Sequence, residues 1–137
     1  MARTVGVDLG SRRIGIAISD DKGTVATPYA TLQRTSDDLD AKAIAEIAAL
    51  EGARTVVLGF PLMLDGTKGD AAMVTEGFAA KLKEAGLRVK LHDERLSTAE
   101  AAKAMKTRGM KSKQVRGVID KAAAAVILQS FLDMKKK

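Results

Sequence analysis

Asp8, Glu94 and Asp120 are the residues of this chain whose type and setting could do chemistry. Asp8 interrupts the strand-like run "VGVDLG", Glu94 follows a strand-like segment in "LHDER", and Asp120 sits in the apolar stretch "VRGVIDKAAAAVILQSFL". Burying a carboxylate without a partner costs several kcal/mol, so each needs a cation, a hydrogen-bonding partner or water. For Asp120, a paired or rim-exposed charge is an equal alternative. If the three converge, their hard oxygens suit Mg²⁺ or Mn²⁺ with waters completing the shell, a site for phosphoryl chemistry. In a two-metal scheme Asp8 would bridge two ions about 4 Å apart, with Glu94 and Asp120 on either side. The chain has no cysteine and one histidine, which excludes thiolate sites and argues against zinc. His92 reads as an ordinary strand residue.

Positioning these groups needs a sheet. Val5, Val7 and Leu9 alternate with Gly6, Asp8 and Gly10, and Ile14, Ile16 and Ile18 alternate with Gly15, Ala17 and Ser19, the period of two strands in a hairpin. Gly6 and Gly10 would clear the face around Asp8 for another backbone, a helix or a phosphate. A third strand is expected over about Thr24 to Leu32, with Pro28 marking an edge or a bend. Ser36 caps a helix with a stripe of Leu39, Ala43, Ile47 and Leu50, and "TVVLGFP" reads as a central parallel strand. A second helix over about Asp70 to Ala85, carrying Val74, Phe78 and Leu82, leads through Gly86 to a more exposed fifth strand, "LRVKLHDER". "STAE", Ser97 to Glu100, fits a capping box, and a last helix is expected over about Ser112 to Met134. The order predicts an α/β fold: a five-stranded mixed sheet, three antiparallel strands then parallel crossovers, with helices on both faces.

With 137 residues and no repeat or composition break, the chain is expected to form one domain over 1–137. The absence of a long apolar run points to a cytoplasmic protein with no membrane partner. Lys and Arg outnumber Asp and Glu by 23 to 17, and the formal charge of +6 suits a polyanion, although charge alone fits a merely soluble basic protein equally well. Few aromatics argue against base stacking, so a nucleic acid would be gripped by phosphate and shape. Arg12 and Arg13 follow Asp8 in the hairpin turn and could hold phosphates or simply be solvated. Lys106, Arg108, Lys111, Lys113 and Arg116 form a denser basic segment, readable as a phosphate clamp beside a metal site. "FPLMLDGTKGD" lacks the ending of a P-loop and reads as a turn near the site.

The blocks "GVDLGSRRIGIAISD", "LGFPLMLDGTKGD", "DERLSTAEA" and "RGVIDKAAAAVILQSFLD" together resemble the YqgF/RuvX family over nearly the whole chain. That family is described both as Holliday-junction resolvases and as pre-16S ribosomal RNA nucleases. The resemblance implies a ribonuclease-H-like fold and a nuclease dependent on Mg²⁺ or Mn²⁺. It also implies an acidic set at Asp8, Glu94 and Asp120. The expected partners are structured RNA, a ribosomal precursor particle or branched DNA, bound by a monomer or weak homodimer. Related resolvases often take an acidic ligand from the end of the fourth strand, where this chain has no carboxylate before Asp65; Glu94 is the favoured substitute and Asp65 the alternative. "VDLGS" also resembles the first phosphate loop of sugar kinases and actin-like ATPases, which close two such domains around ATP.

Overall fold

The computed structural model describes residues 2–96 and 113–135, with side chains of the last helix described from residue 118 onward. The strands β1 (Arg3–Leu9) and β2 (Arg13–Ser19) form the hairpin, in a register that sets Asp8 opposite Gly15 and Gly6 opposite Ala17. Strand β3 (Ala26–Gln33) lies at the sheet edge, and Pro28 meets Ala17 where the pairing with β2 slips, so both expectations for the proline hold. Helix α1 (Asp37–Leu50) crosses to β4 (Ala53–Phe60), which runs parallel to β1. Helix α2 (Asp70–Glu84) crosses to β5 (Arg88–Asp93), parallel to β4. A 3₁₀ turn (Glu94–Leu96) follows, and α3 (Lys113–Lys135) ends the described chain. The strand order β3-β2-β1-β4-β5 is the expected mixed sheet.

Alternation along β1 divides the interior. Val5 and Val7 face α1 and α2 in a core with Ile14, Ile16, Ile44, Phe78 and Leu82, each fully buried. Gly6 and Asp8 face the opposite side, where Ala17, Val57, Ala123, Ala124, Ile127 and Leu128 pack beneath α3. Burying a Leu, Ile or Phe contributes about 1.5–3 kcal/mol, so the two faces together hold the sheet between its helices.

The α1 stripe differs from the expected one. Asp40, Ala41, Ile44 and Ala48 are buried, whereas Leu39 is 60% and Leu50 80% exposed. The helix starts as expected, with Ser36 accepting from the Leu39 N–H. Its rotation is set by Asp40, which receives the Thr35 N–H and hydroxyl and pairs with Arg34 at 3.1 Å. Arg34 also lies over the Phe78 ring and donates to the Gly10 carbonyl, tying the start of α1 to the β1–β2 turn. In α2, Phe78 and Leu82 are buried as expected, but Ala72 and Thr75 take the place of Val74, which is exposed. Gly52 and Gly86 follow the two helices with φ of +72° and +94°, conformations an L side chain would strain. Ser97 and Glu100 of the capping-box reading lie outside the described residues. Among the described residues, no helix is long and apolar enough to cross a membrane.

Candidate active site

Three glycines locate the acidic residues. A Cβ on Gly15 would lie 1.9 Å from the Asp120 carbonyl oxygen, so α3 rests with its backbone directly on β2, opposite Asp8. A Cβ on Gly6 would lie 2.7 Å from Leu128 Cβ, which extends the same seat along β1. On the other flank, Gly59 follows the Val7–Leu58 pair of β1 and β4, and a Cβ there would lie 3.3 Å from the Glu94 carboxyl carbon. Asp8 therefore stands between a strand that carries Asp120 above it and a strand that carries Glu94 above it. All three are buried, at 3%, 2% and 6% exposure for Asp8, Glu94 and Asp120. The glycines clear space chiefly for helix α3, one of the three close approaches expected of them. Gly10 serves the hairpin turn, where its N–H donates to the Arg13 carbonyl and a Cβ would lie 2.5 Å from that oxygen.

Glu94 occupies the 3₁₀ turn where the chain leaves β5, and its neighbours build that turn. Arg95 closes on Asp93 with several hydrogen bonds, the shortest 2.7 Å, and reaches the Leu64 carbonyl in the loop after β4. Asp93 and Arg95 thus act structurally, and the pair holds the Asp93 carboxyl below the usual carboxylate range. Asp65 is exposed and folded onto its own loop, accepting from the Thr67 N–H and hydroxyl. Glu94, unlike Asp65, is buried, with its carboxyl against Gly59 of β4.

Arg13 is not simply solvated in the turn. Its Nε donates to Asp120 Oδ2 at 2.6 Å, and the side chains are only 12% and 9% exposed. Arg12, its neighbour, is exposed in the turn. Arg108 and Lys111 lie outside the described residues, as do Lys106 and the side chains of Lys113 and Arg116, whose backbone begins α3.

His92, expected to be an ordinary strand residue, is 5% exposed and joins the two segments that carry Glu94 and Asp120. The Ser130 hydroxyl of α3 donates to the Leu96 carbonyl, so its oxygen accepts from His92 Nε2–H at 2.9 Å. The ring also meets Phe131 edge-on. The Ser130 hydrogen bonds therefore pin the Glu94 turn to α3. Burial holds the imidazole below its ordinary value of 6.5, partly opposed by the charge of Asp93. The unfolded chain therefore binds a proton that the native protein resists; this share of stability is present above pH 6.5 and is lost as pH falls through that value. The unfolding midpoint should fall between about pH 7 and pH 5.5, and His92→Gln, which keeps an N–H donor without titrating, should flatten that slope. An unchanged slope in the variant would dismiss His92 as its source.

The donor set is chemically suited to a hard cation, being carboxylate oxygen throughout. Among the described residues, however, no three acidic or imidazole groups stand close enough to enclose one ion together, and Asp120 is engaged by Arg13. The arrangement buries Asp8, Glu94 and Asp120 against the glycine-lined face of the sheet that α3 covers.

Comparison with known proteins gives the family. The chain is 44% identical over 134 residues to a protein of Anaeromyxobacter sp. (strain K) named "Putative pre-16S rRNA nuclease", covering 97% of this chain and 98% of that one. A protein of the same name from Geobacillus kaustophilus is 43% identical, covering 98% of this chain and 99% of its own. Among solved structures, Thermus thermophilus RuvC in complex with a Holliday junction substrate matches with a TM-score of 0.58 at 12% identity, covering 99% of this chain and 96% of that one. The Fowlpox virus resolvase bound to Holliday junction DNA matches with a TM-score of 0.54 at 12% identity, covering 98% and 99%. At such identity these two structures speak for the fold, which is the ribonuclease-H-like one of RuvC. A family model described as "RuvX: Holliday junction resolvase" matches residues 2–134, and the chain belongs to the RuvX family.

Proposed function

We propose that this protein is a metal-dependent nuclease that hydrolyses phosphodiester bonds in structured RNA, with the 5′ region of pre-16S ribosomal RNA as its substrate. The observation that supports this reading is the burial of three carboxylates, from β1, the turn after β5 and α3, against the glycine-lined face of the sheet. The names of the relatives support the RNA substrate. Asp8 at the centre, flanked by Glu94 and Asp120, would hold Mg²⁺ or Mn²⁺. The bound ion would supply a hydroxide from water at neutral pH and offset charge on the phosphate. In the net reaction water gives its oxygen to phosphorus and a proton to the leaving oxygen, and one P–O bond is exchanged for another. The protein's share is to fix the carboxylates: α3 seated on Gly15 orients Asp120, and the Arg95–Asp93 turn orients Glu94. Arg12, with Arg108, Lys111, Lys113 and Arg116, would grip neighbouring phosphates.

Holliday-junction resolution is the second reading, favoured by the junction DNA held by structures of the same fold. It requires two sites facing symmetric strands, hence a dimer. Purified protein with Mn²⁺ or Mg²⁺ should be offered precursor ribosomal RNA and a four-way DNA junction in parallel. Cleavage of the RNA is expected, with binding that weakens steeply as salt rises. Symmetric cleavage of the junction alone would establish the second reading. Binding of either substrate without cleavage in any metal would instead identify a non-catalytic assembly protein.

A further inference from the structure

Resting on the reading of this protein as a nuclease of structured nucleic acid, we propose that a cleft at the carboxyl ends of β1 and β4 receives one unpaired base of the substrate, beside the phosphate to be cleaved. The cleft measures about 290 Å³ and lies between Leu9 at the end of β1, Pro61 just after β4 and the first turns of α2. Neighbouring strand residues point to opposite faces, so the cleft opens at the same end of the sheet as Asp8 but on the side of α1 and α2, where Leu9 packs. Its Pro61 wall continues from Gly59, against which the Glu94 carboxyl lies. The region outside the carboxyl ends of the strands is where open α/β sheets bind ligands. A nucleotide chain with a phosphate at Asp8 needs only to turn over the end of β1 to reach it.

The lining selects a base over a phosphate. Ala71, Val74 and Thr75 share one side of α2 at i, i+3 and i+4 spacing, and the Thr75 hydroxyl donates to the Ala71 carbonyl, so its polar end is spent on the helix. With Leu9 and Pro61 they make apolar walls. Arg34 is the cation of the lining and is already committed: it pairs with Asp37 and Asp40, and its Nη1 donates to the Gly10 carbonyl. Two carboxylates against one guanidinium leave that rim no positive charge for a phosphate, and Asp70 adds a negative group at the start of α2. Uncharged donors are present instead. Ser11 is exposed at the mouth, and no side chain caps α2, so the first N–H groups of the helix are left for water or a ligand. Such donors match the ring nitrogens and carbonyl oxygens of a base edge. The volume is near the lower end of small-molecule pockets, about 300–1,000 Å³, which suits one planar ring system. Elsewhere the chain offers no aromatic platform: Phe60 and Phe78 are buried, Phe131 meets His92, and Tyr29 is tied to Glu51. An unpaired base therefore buries its faces against these aliphatic walls.

The test is a titration of the full chain with adenosine 5′-monophosphate and, separately, with ribose 5-phosphate, followed by amide NMR shifts without metal. The adenosine probe should shift the amides of Gly10, Ser11, Ala71 and Thr75 saturably, and ribose 5-phosphate should not. Ala71→Phe and Val74→Phe fill the cleft from exposed helix positions and should each weaken the adenosine probe by roughly tenfold or more. Met73→Phe, on the same helix but outside the cleft, should bind as wild type does. Equal shifts with ribose 5-phosphate would make this a phosphate site and overturn the inference. So would absence of shifts at these amides, or unchanged binding in both filled variants, and neither result would touch cleavage of precursor ribosomal RNA by the wild-type protein. Adenosine binding in the cleft of a protein that cleaves with no metal would support the pocket and fault the nuclease reading beneath it.

Discussion

Replacing Asp8 by asparagine should reduce cleavage at saturating Mg²⁺ or Mn²⁺ by on the order of 10³-fold or more, while the protein stays folded. The substitution preserves shape and removes one negative charge, the quantity on which cation binding depends. Asp8 is the member of the acidic patch fixed by the sheet itself, between Gly15 on β2 and Gly59 on β4. Its loss therefore cannot be repaired by a turn of the main chain. Folding should tolerate the change, because the packed cores on both faces remain and a cluster of like charges is relieved. Asp65→Asn is the matching control: Asp65 is exposed in its loop and held low by its hydrogen bonds to Thr67, so its removal should leave cleavage near wild type. Full activity of Asp8→Asn with saturating metal would remove Asp8 from the chemistry. Loss of activity in Asp65→Asn would shift the acidic set toward the β4 loop.

The hairpin was legible because its signal is local: a two-residue period, glycines on one face, and a charge that violates it. The crossover strands were legible for the same reason, β4 as a short apolar run and β5 as a more exposed run of alternating residues, each following a helix that a glycine ends. Asp8, Glu94 and Asp120 stood out by their misfit with their own neighbours, and the fold buries each of them. What escaped the sequence depends on partners far along the chain. Arg13 finds Asp120 across 107 positions, and His92 finds Ser130 across 38. Neither distance leaves a trace in local spacing. The rotation of α1 was misjudged because a buried aspartate, held by Arg34 and Thr35, outweighed two leucines that stay in solvent. An alanine-rich helix carries too weak an apolar signal to reveal its own buried side.

The largest structural effect should come from a single methyl group on Gly15. Gly15→Ala places a Cβ 1.9 Å from the Asp120 carbonyl oxygen and 2.4 Å from its carbonyl carbon. These are backbone atoms, so no rotamer change relieves the overlap. Ordinary contact needs about 3.5 Å, so α3 must lift by roughly 1.5 Å or β2 must sink. Lifting α3 unseats Ala123, Ala124, Ile127 and Leu128 from the sheet, all of them fully buried. The expected cost is about 3 kcal/mol or more of folding stability, measured by denaturant unfolding. The same displacement moves Asp120 and Arg13 relative to Asp8, and a misplacement of about 1 Å can cost roughly 10²-fold in rate. Gly77→Ala tests whether position rather than residue type decides: nothing lies within 4 Å of its Cβ, and it sits exposed within α2. There alanine should stabilise by about 0.5–1 kcal/mol through helix propensity. Gly6→Ala should fall between the two, since its nearest atom is the Leu128 Cβ at 2.7 Å, with the Ala124 carbonyl at 3.1 Å. Wild-type stability in Gly15→Ala would mean that α3 does not rest on β2, and the route by which Asp120 reaches Asp8 would fall with it.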